Sequence, residues 1–284
     1  MPSSNPVAAD HIWSLYKDLS GSDGFKLDTS NGIDRAIATS ITHPCIFGFN
    51  PTAPSNGRSV LIFGGGGYIE LQVGREGVQV ARWLSSLGFH AFVLLHRFPN
   101  MKNGAQAPVD DARAALRMIE EKGFAKSGMG LCGLSSGGHL AACLLSKYPD
   151  SWNKSEAVMK IPTLDFVIIG YAPISTNAKG RQVIPNKPAL APPEKQELYD
   201  IMQPDLQLEA LVPPTFVVYS ANDPVIPVVN AYRLVEGIRK TGAAVELHVF
   251  SDAPHGFALD TPDLPVSEWP GICERWLRQG GFLK

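Results

Sequence analysis

The sequence has 284 residues, of which 44% are hydrophobic and 18% charged, a composition typical of a globular protein with a substantial core. Its formal net charge of -2 argues against a nucleic-acid partner or an anionic membrane surface. No apolar stretch approaches the roughly 20 residues that are needed to span a bilayer. The amino-terminal segment MPSSNPVAADHIW has neither a basic start nor an apolar run, so we expect no secretory signal.

The four cysteines are widely spaced and form no CxxC pair, which argues against a zinc site. They are Cys45, Cys132, Cys143 and Cys273. Cys132 and Cys143 lie in the apolar contexts MGLCG and LAACLL, so we interpret them as reduced core residues. Reduced thiols are typical of intracellular proteins, and the expected location is the cytoplasm.

From about Ser59 onward, short apolar runs alternate with amphipathic segments. Continuous apolar runs are typical of strands that are buried on both faces. The runs are Val60–Phe63, Ala91–Leu95, Met129–Cys132, Phe166–Gly170 and Phe216–Ser220. In Val245–Phe250, Glu246 and His248 alternate with apolar residues, as expected for a strand with one wetter face.

The segments between these runs have helical periodicity. Two apolar stripes follow it: Val80, Trp83, Leu84 and Leu87, then Val228, Ala231, Leu234, Val235 and Ile238. Between these two stripes, Asp110 and Asp111 are expected to start another helix, because acidic residues favour a helix amino terminus. Such alternation predicts one α/β domain over residues 1–284, with a mostly parallel sheet and helices on both faces. Ligands of such sheets bind at the carboxyl ends of the strands.

A proline-rich stretch from about residue 172 to residue 214 interrupts this rhythm. A long irregular segment inside a compact domain is usually functional, so we expect a cap-like insertion over the site. It lacks long amphipathic helices, although Leu190, Leu198 and Ile201 are candidates to cover a small apolar pocket beside Tyr68.

Ser135 is the candidate nucleophile. It lies in Gly133-Leu134-Ser135-Ser136-Gly137, a G-x-S-x-G motif between a predicted strand and a predicted helix. The sharp turn of such a motif requires small residues two positions to either side. Gly133 and Gly137 meet this requirement for Ser135, whereas Leu134 would flank Ser136. The alternative interpretation is a glycine-rich turn without chemistry.

The glycine run Gly64–Gly67 follows the first predicted parallel strand. Consecutive glycines allow several backbone N–H groups to point at one oxyanion, so the predicted donors are the N–H groups of Gly66, Gly67 and Ser136. A flexible loop and a phosphate-binding loop are the alternatives. The continuation Tyr68-Ile69-Glu70 lacks the Lys-Ser/Thr of a phosphate loop.

Asp223 and His255 are the candidate acid and base, because each follows the end of a predicted strand. The alternative for Asp223 is a turn aspartate, since Asp-Pro is a frequent turn pair. Asp252 is the competing acid, but it is only three residues from the histidine. Among the other histidines, His96 ends a strand and is a candidate to line the binding pocket.

Taken together, these motifs resemble the acetyl-xylan-esterase-like, or BD-FAE-type, branch of the α/β-hydrolase superfamily. The resemblance covers roughly residues 59 to 259 and rests on FGGGGY, GREGVQVARWL, GFHAFVLLHRF, PVDDARAAL, LCGLSSGGHLAA, PPTFVVYSANDPVIPVVNAY and VELHVFSDAPHGFAL. It implies the α/β-hydrolase fold, the triad Ser135, Asp223 and His255, and Gly65–Gly67 as the oxyanion loop. It is less specific for the substrate.

The predicted function is therefore a serine esterase that cleaves small carboxylic esters of short acyl groups through an acyl-enzyme. This chemistry needs no metal and no cofactor. Three alternatives remain: an amidase, an acyltransferase or another hydrolase that tailors an intracellular metabolite. A fourth is a binding protein without catalysis on the same scaffold. The sequence leaves the oligomeric state open.

Overall fold

The computed structural model of the chain describes residues 5–16, 24–152, 161–209 and 212–283. Residues 1–4 of the amino-terminal segment and residues 210 and 211 of the predicted cap thus lie outside the described residues. The described residues form ten strands, β1 to β10 in chain order. Their bounds are His11–Ser14, Phe25–Asp28, Ile37–Ile41, Cys45–Phe49, Ser59–Phe63, His90–Leu95, Met129–Leu134, Phe166–Gly170, Thr215–Ser220 and Val245–Phe250.

Eight of these strands form one sheet in the order β1-β4-β6-β5-β7-β8-β9-β10. Strand β4 pairs antiparallel with both β1 and β6, whereas every pair from β6 to β10 is parallel. Strands β2 and β3 form a separate antiparallel pair. The carboxyl ends of β5, β7, β9 and β10 therefore lie along the same edge of the sheet.

Helices connect the parallel strands. In the described part of the chain they are α1 Gln79–Ser86, α2 Ala107–Glu121, α3 Ser136–Leu144, α4 Pro193–Ile201, α5 Pro204–Gln207, α6 Val229–Lys240 and α7 Trp269–Gln279. A π-helical turn, Gly74–Val78, leads directly into α1, and short 3-10 helices span Ile33–Arg35 and Pro265–Glu268. Helices α4 and α5 belong to the predicted cap, which is more helical than the sequence indicated.

The six predicted strands are all present, each within two residues of its predicted bounds. The prediction missed β1 to β4. Strands β1, β2 and β3 are exposed or mixed in pattern and give no continuous apolar run, whereas β4 is buried at every position. The expected start of α2 is confirmed only in part, since Asp110 lies in the first turn of the helix. The helix begins at Ala107, and Asp111 is fully buried in an ion pair with Arg97 rather than capping the helix.

The core lies on the central strands, where every residue of β5, β7, β8 and β9 is buried. Edge strand β10 is partly exposed along its length, but the predicted alternation is not seen, since Glu246 and His248 are half-buried like most of the strand and Val249 is its exposed residue. All four cysteines are buried and free. Within the described ranges, no helix is both long and apolar enough to cross a membrane.

Candidate active site

The sheet brings three predicted site residues together at one edge. Ser135 follows β7, Asp223 lies in the loop after β9, and His255 lies in the loop after β10. The glycine loop follows β5, which pairs directly with β7. Parallel pairing thus places the loop beside the serine, although the residues are far apart in sequence.

Ser135 occupies a sharp turn between β7 and α3. Its backbone has φ 52° and ψ -125°, a conformation that residues with side chains rarely adopt. A Cβ atom on Gly133 would collide with the Gly137 carbonyl, and one on Gly137 would collide with the Phe63 carbonyl. Close packing of backbones on both sides of the turn therefore requires glycine at these two positions, as the motif predicts.

Ser135, His255 and Asp223 form a chain of hydrogen bonds. Ser135 Oγ lies 2.9 Å from His255 Nε2, and His255 Nδ1 lies 2.7 Å from Asp223 Oδ2. The other oxygen of Asp223 accepts hydrogen bonds from the N–H groups of Val225 and Ile226, both at 2.8 Å. Because the Asp223 side chain is fully buried and held by three donors, it fixes the orientation of the imidazole.

The glycine loop differs in detail from the prediction. Gly66 and Ser136 both line the cavity in front of Ser135, and no described residue accepts a hydrogen bond from either backbone N–H. The Gly67 N–H instead donates to Ser136 Oγ at 2.9 Å, so Gly67 is not a free donor here. Gly65 is also not a contact residue of the cavity, because its N–H donates to Glu76 Oε2 at 2.5 Å.

Glu76 is a site residue that the sequence reasoning missed. It lies in the π-helical turn before α1 and lines the cavity, with only 3% of its surface exposed. Besides the Gly65 N–H, it accepts a hydrogen bond from the Tyr171 hydroxyl at 3.0 Å. Burial raises the pKa of the Glu76 carboxyl, while these two donors and the nearby His255 act in the opposite direction.

Tyr68 and His96 were predicted to contact substrate, and the structure corrects both assignments. The Tyr68 side chain is buried, and its hydroxyl lies 3.0 Å from His139 Nδ1. His139 in turn contacts the Met202 carbonyl at 3.1 Å. His96 is buried against the Tyr68 ring, with the ring centroids 5.8 Å apart. Both predicted contact residues are therefore buried beside the site and do not line the cavity.

A cavity of about 630 Å³ opens in front of Ser135. The predicted cap forms one of its walls, to which Leu190 contributes, whereas Leu198 is fully buried below the surface. The lining is mixed in character, with Pro173, Asn177, Ile184, Lys187, Leu190, Lys195 and Tyr199 from the cap and Glu70, Gln72, Arg75, Pro224, Val225, Ile226 and Gly256 from the sheet edge. Within the described residues, no group of three or more His, Cys, Asp or Glu side chains could hold a metal ion.

Several solved structures have a fold similar to that of this chain. An acetyl ester-xyloside bifunctional hydrolase from Caldicellulosiruptor lactoaceticus aligns with a TM-score of 0.72 at 24% identity, covering 99% of this chain and 100% of that one. A carboxylesterase from Lactobacillus plantarum aligns with a TM-score of 0.69 at 19% identity, covering 92% and 98%. These similarities confirm the predicted α/β-hydrolase fold.

Sequence comparison gives the family. An acetylxylan esterase of Xylanibacter ruminicola is 24% identical over 219 residues, which are 75% of this chain and 43% of the relative. The chain thus spans less than half the length of that curated relative. The model of peptidase family S9, the prolyl oligopeptidase family, matches residues 97–264, which is more than half of the chain. The protein is therefore a member of the prolyl oligopeptidase family with an α/β-hydrolase fold.

Proposed function

We propose that the protein is a carboxylic ester hydrolase in which Ser135, His255 and Asp223 form the catalytic triad. The observation that carries the proposal is the unbroken hydrogen-bond chain from Ser135 Oγ through the imidazole to a buried carboxylate. The acetylxylan esterase and carboxylesterase named among the similar proteins add support.

The first half of the reaction forms an acyl-enzyme. His255 Nε2 takes the proton of the Ser135 hydroxyl while Oγ attacks the ester carbonyl carbon. The carbonyl oxygen becomes an oxyanion, and the backbone N–H groups of Gly66 and Ser136 stabilise it. The tetrahedral intermediate then collapses, the bond to the alcohol oxygen breaks, and His255 returns its proton to that oxygen.

The second half releases the acid. A water molecule gives a proton to His255 Nε2 and attacks the acyl carbon, and the same two N–H groups hold the second oxyanion. Collapse breaks the bond to Ser135 Oγ, which recovers its proton from the imidazolium. Asp223 accepts the Nδ1 hydrogen bond throughout and stabilises the charged imidazole in both halves.

Short acyl groups are the proposed substrates, because the described residues that line the cavity are a mixture of charged and apolar side chains. Each methylene that becomes buried adds about 0.8 kcal/mol of binding, so a deep apolar site would favour long chains. We expect kcat/KM for p-nitrophenyl esters to be highest at acetate or propionate and to fall toward decanoate. Treatment with a fluorophosphonate should abolish all of these activities. A maximum at octanoate or beyond would contradict the short-chain assignment, and absence of both hydrolysis and labelling would contradict the function.

Glu76 is proposed as a positioning residue for the oxyanion loop. In Glu76→Ala, the buried Gly65 N–H and Tyr171 hydroxyl lose their shared acceptor, and the neighbouring Gly66 N–H is no longer held in place. Loss of one oxyanion donor costs about 10²–10³-fold in kcat, so partial displacement should lower kcat by roughly 10- to 100-fold. KM should change little.

The conservative variant separates positioning from general destabilisation. Glu76→Gln keeps one carbonyl oxygen that can accept from the Gly65 N–H, so it should recover most of the kcat lost in Glu76→Ala. Thermal unfolding of both variants gives the accompanying stability change. Equal kcat losses in the two variants, or a loss seen only in KM, would contradict the assignment.

The cytoplasm is the proposed location of the protein. The four buried and free cysteines support it, because reduced thiols are typical of the cytosol.

A further inference from the structure

Two lysines face the same cavity from the cap. Lys195 lies on α4 one turn before Tyr199, so the two side chains share the helix face that lines the cavity. A Cβ atom on Gly67 would lie 3.5 Å from Lys195 Nζ, which places this ammonium group beside the glycine loop. Lys187 lines the cavity as well, and its ammonium group donates to the side-chain oxygen of Asn177.

Neither lysine has an acidic partner among the described residues, since no carboxylate oxygen there lies within 4.0 Å of either ammonium group. The acidic groups that share the cavity are engaged elsewhere. Glu70 accepts a hydrogen bond from Gln72 Nε2 at 2.8 Å, and Glu76 is held by Gly65 and Tyr171.

Two other cations near the site, Arg75 and Lys179, form ion pairs with aspartates. Arg75 Nε lies 3.2 Å from Asp260 Oδ2, an ion pair without the alignment of a hydrogen bond. Lys179, on the same cap segment but outside the cavity, pairs with Asp200 at 3.3 Å. Lys187 and Lys195 thus differ from these neighbouring cations in that neither forms an ion pair with a described side chain.

Burial and mutual repulsion both act against the two positive charges at this place. Both lysines are half-buried, and burial lowers the pKa of each. The charge of Lys187 lowers the pKa of Lys195 further, as expected for two ammonium groups held near each other. An anionic group bound between them would offset the repulsion and accept hydrogen bonds from both ammonium groups.

We propose that Lys187 and Lys195 select esters that carry a second, anionic group, a carboxylate or a phosphate. The inference rests on the proposed esterase function and defines its substrate class. With the ester carbonyl oxygen at the Gly66 and Ser136 N–H groups, the anionic group reaches Lys195 beside Gly67, so it is separated from the ester by only a short linker.

Matched ester pairs test this proposal. 4-Acetoxybenzoate and 4-acetoxybenzamide differ by a charge on the alcohol side, while monoethyl succinate and ethyl butanoate differ by a charge on the acyl side. 4-Acetoxyphenyl phosphate compares phosphate with carboxylate. In the wild-type protein, kcat/KM for the anionic member of at least one pair should exceed that of the neutral member by about tenfold, the size of one partly solvated charged hydrogen bond.

The variant Lys187→Gln/Lys195→Gln should bring this ratio close to one, and high salt should lower it in the wild type. The matched control Lys179→Gln also removes one positive charge from the cap and should keep the wild-type ratio. A wild-type ratio near or below one for every pair, or a ratio that survives the double substitution, overturns the proposal. If neutral esters are hydrolysed without any anionic preference, only this inference fails. If no ester is hydrolysed and no fluorophosphonate adduct forms, the esterase function fails with it.

Discussion

Replacing Ser135 with alanine should abolish ester hydrolysis while leaving the protein folded. The substitution removes the attacking oxygen, and the loss of a triad nucleophile costs at least about 10³-fold in turnover. Among the described residues, Ser135 Oγ hydrogen-bonds to His255 alone, and alanine keeps the Cβ atom, so removal of Oγ leaves the core packing unchanged. Hydrolysis of p-nitrophenyl acetate, measured beside circular dichroism, checks the prediction.

Ser86→Ala is the matched control for this substitution. Ser86 is exposed on α1, and its hydroxyl donates to the Trp83 carbonyl of the same helix, so the variant should retain full activity. The decisive contrary result is a Ser135→Ala enzyme that remains active while Ser136→Ala is inactive. That pair of results would show that Ser136 is the nucleophile instead of Ser135.

Asp223→Asn should reduce kcat by about 10⁴-fold. This is the loss expected when the histidine of a Ser-His-Asp triad is held in the wrong tautomer. Val225 and Ile226 hold one oxygen in place, so the new amide nitrogen faces His255 Nδ1. Nδ1 must then act as an acceptor, and the proton moves to Nε2. An Nε2 that already carries a proton cannot take the one from Ser135. Steady-state kinetics on a short-chain ester measures the effect.

Asp252→Asn makes the same charge change in the loop that carries His255. The Asp252 side chain is exposed, whereas that of Asp223 is fully buried against the imidazole. The control should therefore stay within about twofold of the wild-type rate, as expected for a surface substitution. A larger loss in Asp252→Asn than in Asp223→Asn would mean that the acid has been assigned to the wrong residue.

The central sheet and the meeting of Ser135, Asp223 and His255 were predictable from the sequence for a physical reason. Strands that are buried on both faces have continuous apolar sequences, and the carboxyl ends of parallel strands lie along the same edge of the sheet. Residues that directly follow such runs must lie close together in space. The glycines around Ser135 carry their own signal, because only a missing Cβ allows the close backbone contacts of the turn.

The remaining parts of the site depend on tertiary packing, which no local pattern encodes. Gly66 and Gly67 are adjacent glycines that the sequence gives no reason to distinguish. The loop nevertheless turns the Gly67 N–H toward Ser136 Oγ instead of the cavity. Lys187 and Lys195 look like ordinary surface lysines until the cap folds over the cavity. Glu76 lies in a segment that resembles the first turn of a surface helix, and only the structure shows that it is buried.

The π-helical turn at Gly74–Val78 makes the position of Glu76 depend on chain length as well as on residue type. An α-helix advances about 100° per residue, so deleting one residue from the turn would restore regular winding and rotate Glu76 by that angle relative to α1. The carboxylate would then leave the Gly65 N–H, although every side chain of the network was still encoded. This segment should therefore tolerate neither insertions nor deletions, even those that leave Glu76 itself in place.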